Sequence, residues 1–524
     1  MDIIFSTDRK RTLIPVLFLL LIAFFLRLYK LDVYPMQVNQ DELSNIYDGY
    51  SIAETGADRW GEKHPIILTA YGDFDNRPPL YAYLAAGSIK IFGYSIFAGR
   101  LPSAIIGCLS ILLLFLTAAK IGGRMFGIVV LLLATFSPWH IIFSRLAHEG
   151  TALPPFFIIS MLYCWIRARE TKYHNGVLIV LGFIIGFATN SYQATKLIFL
   201  LASILIAFDL YLNSKLKAKK IGILALAIFI GALPQIMAAY LYPERFFSRA
   251  NDQLVPFSFT LGYVKTILMN FIYNFDPEHL FLSFGEFNNL SVGRRLSIEL
   301  IFFYLGLIIF YFLFKQNKKI NVIYIYIVLL ITILPAAITK DNPHALRASA
   351  SILLYPLFSG VAIYYLFEQI KNNKFGKYII IFTLIMITIN GFYNVSNYTK
   401  NKQMQALGAQ YGQVAMYITM QKHQKDFEKV YVQLYGAFQY VFIASYTNMH
   451  PREFQNSTKK IEKKGWYQCS QLDKYHIVSA DEIRNENRVS KNGKNLLVLL
   501  EKSDKYTLID STNHMGEKIY YYKN

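Results

Sequence analysis

Residues 12–42 read TLIPVLFLLLIAFFLRLYKLDVYPMQVNQDE. An apolar run from about Leu13 to Leu28 gives way to a polar stretch that ends in the acid pair Asp41-Glu42. Apolar runs near ~20 residues cross a bilayer as helix, and such runs recur through the first three quarters of the chain. Of 524 residues, 54% are hydrophobic and only 17% are charged, against about 25% charged in a soluble domain. A soluble protein with long core helices does not bury so many runs. The expected fold is an all-α polytopic membrane bundle.

About eleven spans are expected, at 12–29, 100–120, 124–143, 152–168, 176–189, 196–212, 220–241, 297–314, 320–338, 346–368 and 376–393. Basic residues cluster between them in alternate loops. Arg9, Lys10 and Arg11 precede the first span, and Lys120 and Arg124 follow the second. Further clusters are Arg167/Arg169/Lys172, Lys215 to Lys220, Lys315/Lys318/Lys319 and Lys371/Lys374/Lys377. The positive-inside rule makes these loops cytoplasmic. The same clustering explains the net charge of +19 and argues against a nucleic-acid partner. The first run has no small-residue cleavage site after it, so a retained anchor in the plasma membrane is expected. Three cysteines offer no disulfide framework.

With a cytoplasmic N-terminus, two long segments lie outside, at 30–99 and 242–296. The second holds FTLGYVKTILMNFIYNF (259–275), apolar on one helical face. It suits either a helix along the membrane surface or one packed on the spans. Residues 1–398 thus form a transmembrane domain with these two outside loops. Residues 399–524 read as a small, soluble, extracytoplasmic α/β domain. A helix is expected near 403–421, and VYVQLYG, HIVSA, NLLVLLE and KIYYYK carry the β-branched and aromatic residues of strands.

The polar oddities fall on the outside. Asp41 and Glu42 follow the first span; solvated surface acids are the plain alternative. Asp73-Phe74-Asp75-Asn76-Arg77-Pro78-Pro79 follows. The residue before a proline is pushed to extended backbone, so Arg77 stands at the mouth of the next helix, where its charge and the helix dipole both attract phosphate. A guanidinium snorkelling to headgroups is the rival account. Arg145 and Glu149, four apart with His148 between them, can pair on one helical face, either in a site or merely between spans. His344 and Arg347 come near the start of the tenth span, where a lipid-facing charge costs about 2.5–3.5 kcal/mol. His344 suits a general acid/base, a metal ligand or a cap.

One carboxylate pair with several arginines is an informative imbalance. Glycosidases need two carboxyl groups because their leaving alkoxide must be protonated. A sugar-phosphate donor leaves as a stable anion and needs cations plus one base for the acceptor hydroxyl. Asp41 suits the base, and Arg77, Arg347 and Arg145 suit the anion clamp.

FLRLYKLD with Asp41-Glu42, then GDFDNRPPLYAYL, GRLPSAIIG, SPWHIIFSR and PHALRA, occur in an order and spacing that resembles membrane glycosyltransferases of the protein O-mannosyltransferase and lipid A aminoarabinose transferase type, with GT-C architecture. The resemblance covers about residues 12–395. It implies transfer of a sugar from a polyprenyl-phosphate carrier, undecaprenyl or dolichyl, to an acceptor hydroxyl on a glycan, lipid or protein at the outer face. It implies Asp41 as catalytic base with Glu42 beside it, a metal-independent inverting displacement, and no cofactor. Relatives commonly place Lys before the double proline, where Arg77 stands here. That keeps the charge and turns a point donor into a fork. An acid after the third span of the family corresponds to Glu149, although SRLAHEG departs from the pattern. A divalent ion on Asp73 and Asp75 would contradict metal independence.

Two other classes stay open. A lipid-linked sugar transporter would place charges near the bilayer midplane and carry internal repeats, which the sequence does not display. A metal-dependent oligosaccharyltransferase would use a pyrophosphate donor.

Overall fold

A computed structural model describes residues 9–35, 38–277, 280, 299–315, 321–400, 411–435, 438–463, 465–485, 493–514 and 517–524. Its helices are α1 (Arg9–Leu28), α2 (Gln40–Thr55), α3 (Leu80–Phe92), α4 (Ile96–Gly122), α5 (Arg124–Phe136), α6 (Pro138–Phe143), α7 (Leu153–Glu170), α8 (Asn175–Ala188), α9 (Gln193–Asn213), α10 (Lys217–Leu241), α11 (Pro243–Gln253), α12 (Leu261–Asn274), α13 (Glu299–Phe314), α14 (Val322–Ala337), α15 (Leu354–Ile370), α16 (Lys374–Lys400), α17 (Tyr411–His423), α18 (Gln439–Tyr446), α19 (Pro451–Ser457) and α20 (Ala480–Arg484). The strands are β1 (Leu68–Thr69), β2 (Asn76–Arg77), β3 (Lys429–Gln433), β4 (Lys459–Lys463), β5 (Trp466–Leu472), β6 (Tyr475–Val478), β7 (Asn495–Leu499), β8 (Thr507–His514) and β9 (Glu517–Lys523). The chain divides into two compact units, one of residues 1–31, 100–241 and 250–401, the other of 32–99, 242–249 and 402–524.

The first unit is a bundle of apolar helices. Among the described residues, five helical stretches are long and apolar enough to span a bilayer: Ile96–Gly122, Gln193–Asn213, Lys217–Leu241, Ser349–Ile370 and Lys374–Tyr393. Shorter apolar helices accompany them, and the protein is a multi-pass membrane protein. The run expected at 124–143 is broken into α5 and α6, because Pro138 lacks the N–H an unbroken helix needs and disfavours α backbone at Ser137. The 346–368 run becomes a helix only at Leu354, after a 3₁₀ turn at Ser349–Ser351. Residues 297–298 of the eighth expected span, Lys318 and Lys319, and the start of the helix expected at 403–421 lie outside the described residues. Of the 259–275 segment, α12 forms and Asn270 Nδ2 donates to the Ala337 carbonyl at the end of α14, 2.8 Å away. Its Leu261, Val264, Leu268 and Ile272 remain exposed, as does Phe259 before it.

Lipid tails are as apolar as leucine, so helices in a bilayer associate through close packing rather than the hydrophobic effect. Glycines supply that closeness between α8 and α10. A Cβ on Gly186 would meet the Ile228 carbonyl oxygen at 2.0 Å, and one on Gly231 would meet that of Phe183 at 2.6 Å. One buried acid within the bundle gathers several donors. Asp209 on α9 accepts from Trp165 Nε1 at 2.7 Å and Tyr173 Oη at 2.9 Å, and pairs with Arg169.

The second unit joins residues 32–99 and the short 242–249 segment to the C-terminal chain. Helices α2 and α3 pack so closely that a Cβ on Gly49 would touch Ala85 Cβ at 2.8 Å. The seven-stranded sheet has the order β4-β5-β6-β3-β7-β9-β8. Its centre, β6-β3-β7, is parallel and its flanks are antiparallel. All four strands expected from sequence are present, and β4, β5 and β8 are additional. The sheet domain does not stand apart from the loop. Tyr47 Oη on α2 donates to the Met449 carbonyl at 2.9 Å, and Tyr467 N on β5 donates to the Tyr71 carbonyl at 2.7 Å.

Leucine at position 186 must force α8 from α10. Overpacking of this kind costs about 1–3 kcal/mol, so Gly186→Leu is expected to lower the thermal-unfolding midpoint of detergent-purified protein by several degrees, with a smaller drop for Gly186→Ala.

Candidate active site

Asn39 caps α2, its side-chain oxygen accepting from Glu42 N at 2.8 Å. Acids in a first helical turn are favoured by the helix dipole, so Asp41 and Glu42 have a structural reason to be there as well. Asp41 is half-buried and Glu42 fully buried. Positions 41, 44 and 48 follow at i, i+3 and i+7, a single face of α2.

That face receives Arg77. Pro78 and Pro79 keep β2 extended up to Arg77. The guanidinium donates to Ser44 Oγ at 2.6 Å and Asp48 Oδ2 at 3.0 Å. Arg59 converges on the same partners: Nη1 lies 2.5 Å from Ser44 Oγ and 3.4 Å from Asp48 Oδ2, and its backbone N–H donates to Asp48 Oδ1 at 3.3 Å. Its Nη2 donates to the Ala70 carbonyl. The Asp48 and Arg59 side chains are wholly buried and Arg77 is 5% exposed. One carboxylate therefore holds two guanidinium groups, and the trio carries net positive charge.

Tyr71 ties this trio to Asp41. Its hydroxyl donates to the Gln40 carbonyl at the start of α2. Burial pushes its ionisation well above the usual phenol range; the negative charge of Asp41 adds to this, while Arg59 and Arg77 oppose it. Asp41 and Arg77 thus act on the same phenol. Asp48, Arg59, Ser44 and Tyr71 escaped the sequence reading. The seven-residue spacing of Asp48 from Asp41 was the available signal for one of them; nothing local marks Arg59.

Asp73 and Asp75 take separate partners. The exposed Asp73 carboxylate accepts from Tyr467 Oη, and Asp75 pairs with Arg249. Among the described residues, no three His, Cys, Asp or Glu side chains gather as a metal site.

The remaining candidates belong to the membrane unit. Arg145 donates to carbonyls at the end of α1, namely Leu26 at 2.9 Å, Tyr29 at 2.7 Å and Lys30 at 3.1 Å. A cation there satisfies helix-end acceptors and the negative end of the dipole. His148 Nδ1 accepts from Gly150 N at 3.0 Å, which puts a neutral ring's proton on Nε2; Glu149 lies 3.4 Å from that Nδ1. Gly150 packs on Leu346, which a Cβ would meet at 2.8 Å, so this loop touches the turns that carry His344 and Arg347. Arg347 lies in those turns rather than inside α15. It donates to the Asp341 carbonyl at 3.1 Å, pairs with the Asp341 carboxylate at 3.3 Å and bonds Gln253 Oε1.

A sequence model of the family described as dolichyl-phosphate-mannose-protein mannosyltransferase matches residues 76–237. Among curated proteins no sequence matches. Solved structures do match. ArnT from Cupriavidus metallidurans bound to undecaprenyl phosphate aligns with a TM-score of 0.58 at 11% identity, over 97% of each chain. The oligosaccharyltransferase AglB from Archaeoglobus fulgidus, in complex with an inhibitory peptide and a dolichol-phosphate, aligns with a TM-score of 0.55 at 15% identity. That alignment covers 84% of this chain, which spans only 64% of AglB's length. The chain has the GT-C fold and resembles the protein mannosyltransferase and ArnT group.

Removing Asp48 strands two buried cations. Breaking a buried pair costs about 3–5 kcal/mol, so Asp48→Ala is expected to lower the unfolding midpoint sharply, and more than Asp41→Ala does; equal, small shifts from both would contradict the arrangement. Asp58 makes a pH prediction. Burial raises its carboxyl to about 7; the Asp48 charge adds, and a backbone N–H and Arg59 oppose. Unfolded aspartate titrates near about 3.9. The fold holds a proton that the unfolded chain releases, so this contribution is full below about pH 4 and is lost as pH rises through about 7. Unfolding midpoints should fall across that interval, and Asp58→Asn should flatten the fall.

Proposed function

We propose that the protein is a glycosyltransferase that moves a sugar from a polyprenyl-phosphate carrier to an acceptor hydroxyl at the extracytoplasmic face, with its N-terminus in the cytoplasm. The observation that carries this is one face of α2: it begins with a half-buried acid, Asp41, and further along the Asp48 carboxylate, shared with Arg59, holds the Arg77 guanidinium. The net positive charge left on that trio suits a phosphate, and Asp41 suits a proton acceptor. The fold shared with ArnT bound to undecaprenyl phosphate and with AglB in complex with a dolichol-phosphate supports the choice of carrier.

The reaction is a single displacement without a metal. Asp41 takes the proton of the acceptor hydroxyl, with Glu42 completing the acid pair. The acceptor oxygen attacks the anomeric carbon from the face opposite the phosphate. The bond from that carbon to the phosphate oxygen breaks, and the polyprenyl phosphate leaves as an anion. Arg77 supplies the charge that stabilises it. No acid is needed for the leaving group, and the configuration inverts. The acceptor is a glycan, a lipid or a protein.

Asp41→Asn keeps the shape and the cap of α2 and removes the base. General-base loss costs about 10²–10⁴-fold, so turnover of purified enzyme with polyprenyl-phosphate sugar is expected to fall at least about 100-fold with donor binding retained. An unchanged rate removes Asp41 from the mechanism. Sugar translocation without transfer in reconstituted vesicles would replace the enzyme reading with a transporter, and loss of activity in EDTA would replace the metal-independent step.

A further inference from the structure

Two large aromatic rings of the second unit stand on its surface, side by side. Trp466, the first residue of β5, is 40% exposed and Phe74 is 50% exposed. Their backbones hold them together: a Cβ on Gly72 would meet Trp466 Cα at 2.9 Å, and a Cβ on Gly465 would meet the Phe74 ring at 2.1 Å. The Phe438 ring lies 5.7 Å from that of Trp466 and 4.1 Å from that of Tyr71. Phe438 has φ +59°, a left-handed conformation that a bulky side chain rarely adopts. Strain of this kind clusters at functional sites. Tyr71 is buried, and its hydroxyl donates to the carbonyl of Gln40, the neighbour of Asp41. The series Trp466, Phe438, Tyr71 therefore leads from solvent to the residue beside the proposed base.

Polar groups border the exposed rings. Asp73, next to Phe74, is exposed; one carboxylate oxygen accepts from Tyr467 Oη, and the other has no hydrogen-bond partner among the described residues. The Trp466 indole N–H has none among them either. Lys460 Nζ covers one face of the Tyr467 ring at 3.7 Å, and its charge offsets that of Asp73. A pyranose ring has an apolar face of C–H groups and a girdle of hydroxyls. The π face of an aromatic ring carries negative charge density, which attracts those C–H groups. A carboxylate accepts from the hydroxyls and an indole N–H donates to them. A lipid chain would leave both polar groups unmatched, and the offset charges suit a neutral ligand.

We propose that Trp466, Phe74 and Phe438 form a platform for the acceptor, and that this acceptor is a neutral oligosaccharide. Its sugar rings stack on Trp466 and Phe74, its hydroxyls bond the free oxygen of Asp73, and Phe438 guides the terminal sugar toward Asp41. The role as acceptor rests on the transferase reading above; the binding itself needs neither Asp41 nor a lipid donor.

The test is ligand-observed NMR on the full chain in nanodiscs, with saturation transferred from the protein to the ring C–H protons of cellohexaose, chitohexaose or α-mannohexaose. At least one of the three binds, and Asp41→Asn binds it as the parent does. Trp466→Leu, which keeps apolar bulk and removes the π face, weakens that binding at least tenfold, whereas Trp466→Phe retains most of it. Phe74→Leu, at the other exposed ring, gives a second and independent loss. The platform is overturned if none of the three saccharides binds, if both leucine variants bind as well as the parent, or if a serine- and threonine-rich peptide binds in their place. Loss of turnover in Asp41→Asn together with no saccharide binding would overturn the platform and leave the transferase reading standing.

Discussion

A guanidinium group placed in a low-dielectric interior must find acceptors for most of its donors or be expelled, because a buried unpaired charge costs several kcal/mol. Much of this protein is arranged around that requirement. Arg27, Arg59 and Arg100 are fully buried. Arg27 bonds the carbonyls of Ala23, Ala134 and Thr135 and the His140 ring, drawing α1 against the break between α5 and α6. Arg100 bonds the Leu31 carbonyl and Arg145 the last carbonyls of α1. In the second unit the acceptor is a carboxylate, and Asp48 serves Arg59 and Arg77 together.

The consequence for chemistry is that Arg77 is not a flexible surface cation. It is held by Ser44 and Asp48 on α2, the helix that also presents Asp41. The proposed base, carried on α2, and the proposed anion-binding group, gripped by the same helix, keep their separation because one rigid element holds both. The GDFD turn just before Arg77 is braced in turn. Asp73 N donates to the Gly465 carbonyl at 2.9 Å, and a Cβ on Gly72 would meet that oxygen at 2.1 Å. The hairpin of β4 and β5 therefore supports the arginine-bearing strand.

Several features were legible in the sequence for local reasons. Hydropathy marks membrane helices because each apolar run must bury or face lipid on its own account. Pro78-Pro79 marks extended backbone at Arg77 through a clash with the adjacent residue. The strands around Val430, Ile477, Leu497 and Tyr521 announce themselves by β-branched and aromatic content. Less visible were β4 and β8, whose residues include Lys459-Lys460 and Ser511-Thr512-Asn513 and which lie at the two edges of the sheet, where one side needs no partner.

By itself the sequence determined a multi-pass membrane chain of apolar helices, an acid-and-arginine motif set after the first span, and an α/β segment at the end. These follow from period, composition and neighbouring residues, which act over a few positions. Tertiary structure alone decided which acid holds Arg77, that Arg59 shares it, and that the first loop folds with the C-terminal sheet. Asp48 and Arg77 lie 29 residues apart and Tyr71 and Tyr467 nearly 400. Pairings at such separations depend on how whole elements pack, and no local pattern records them.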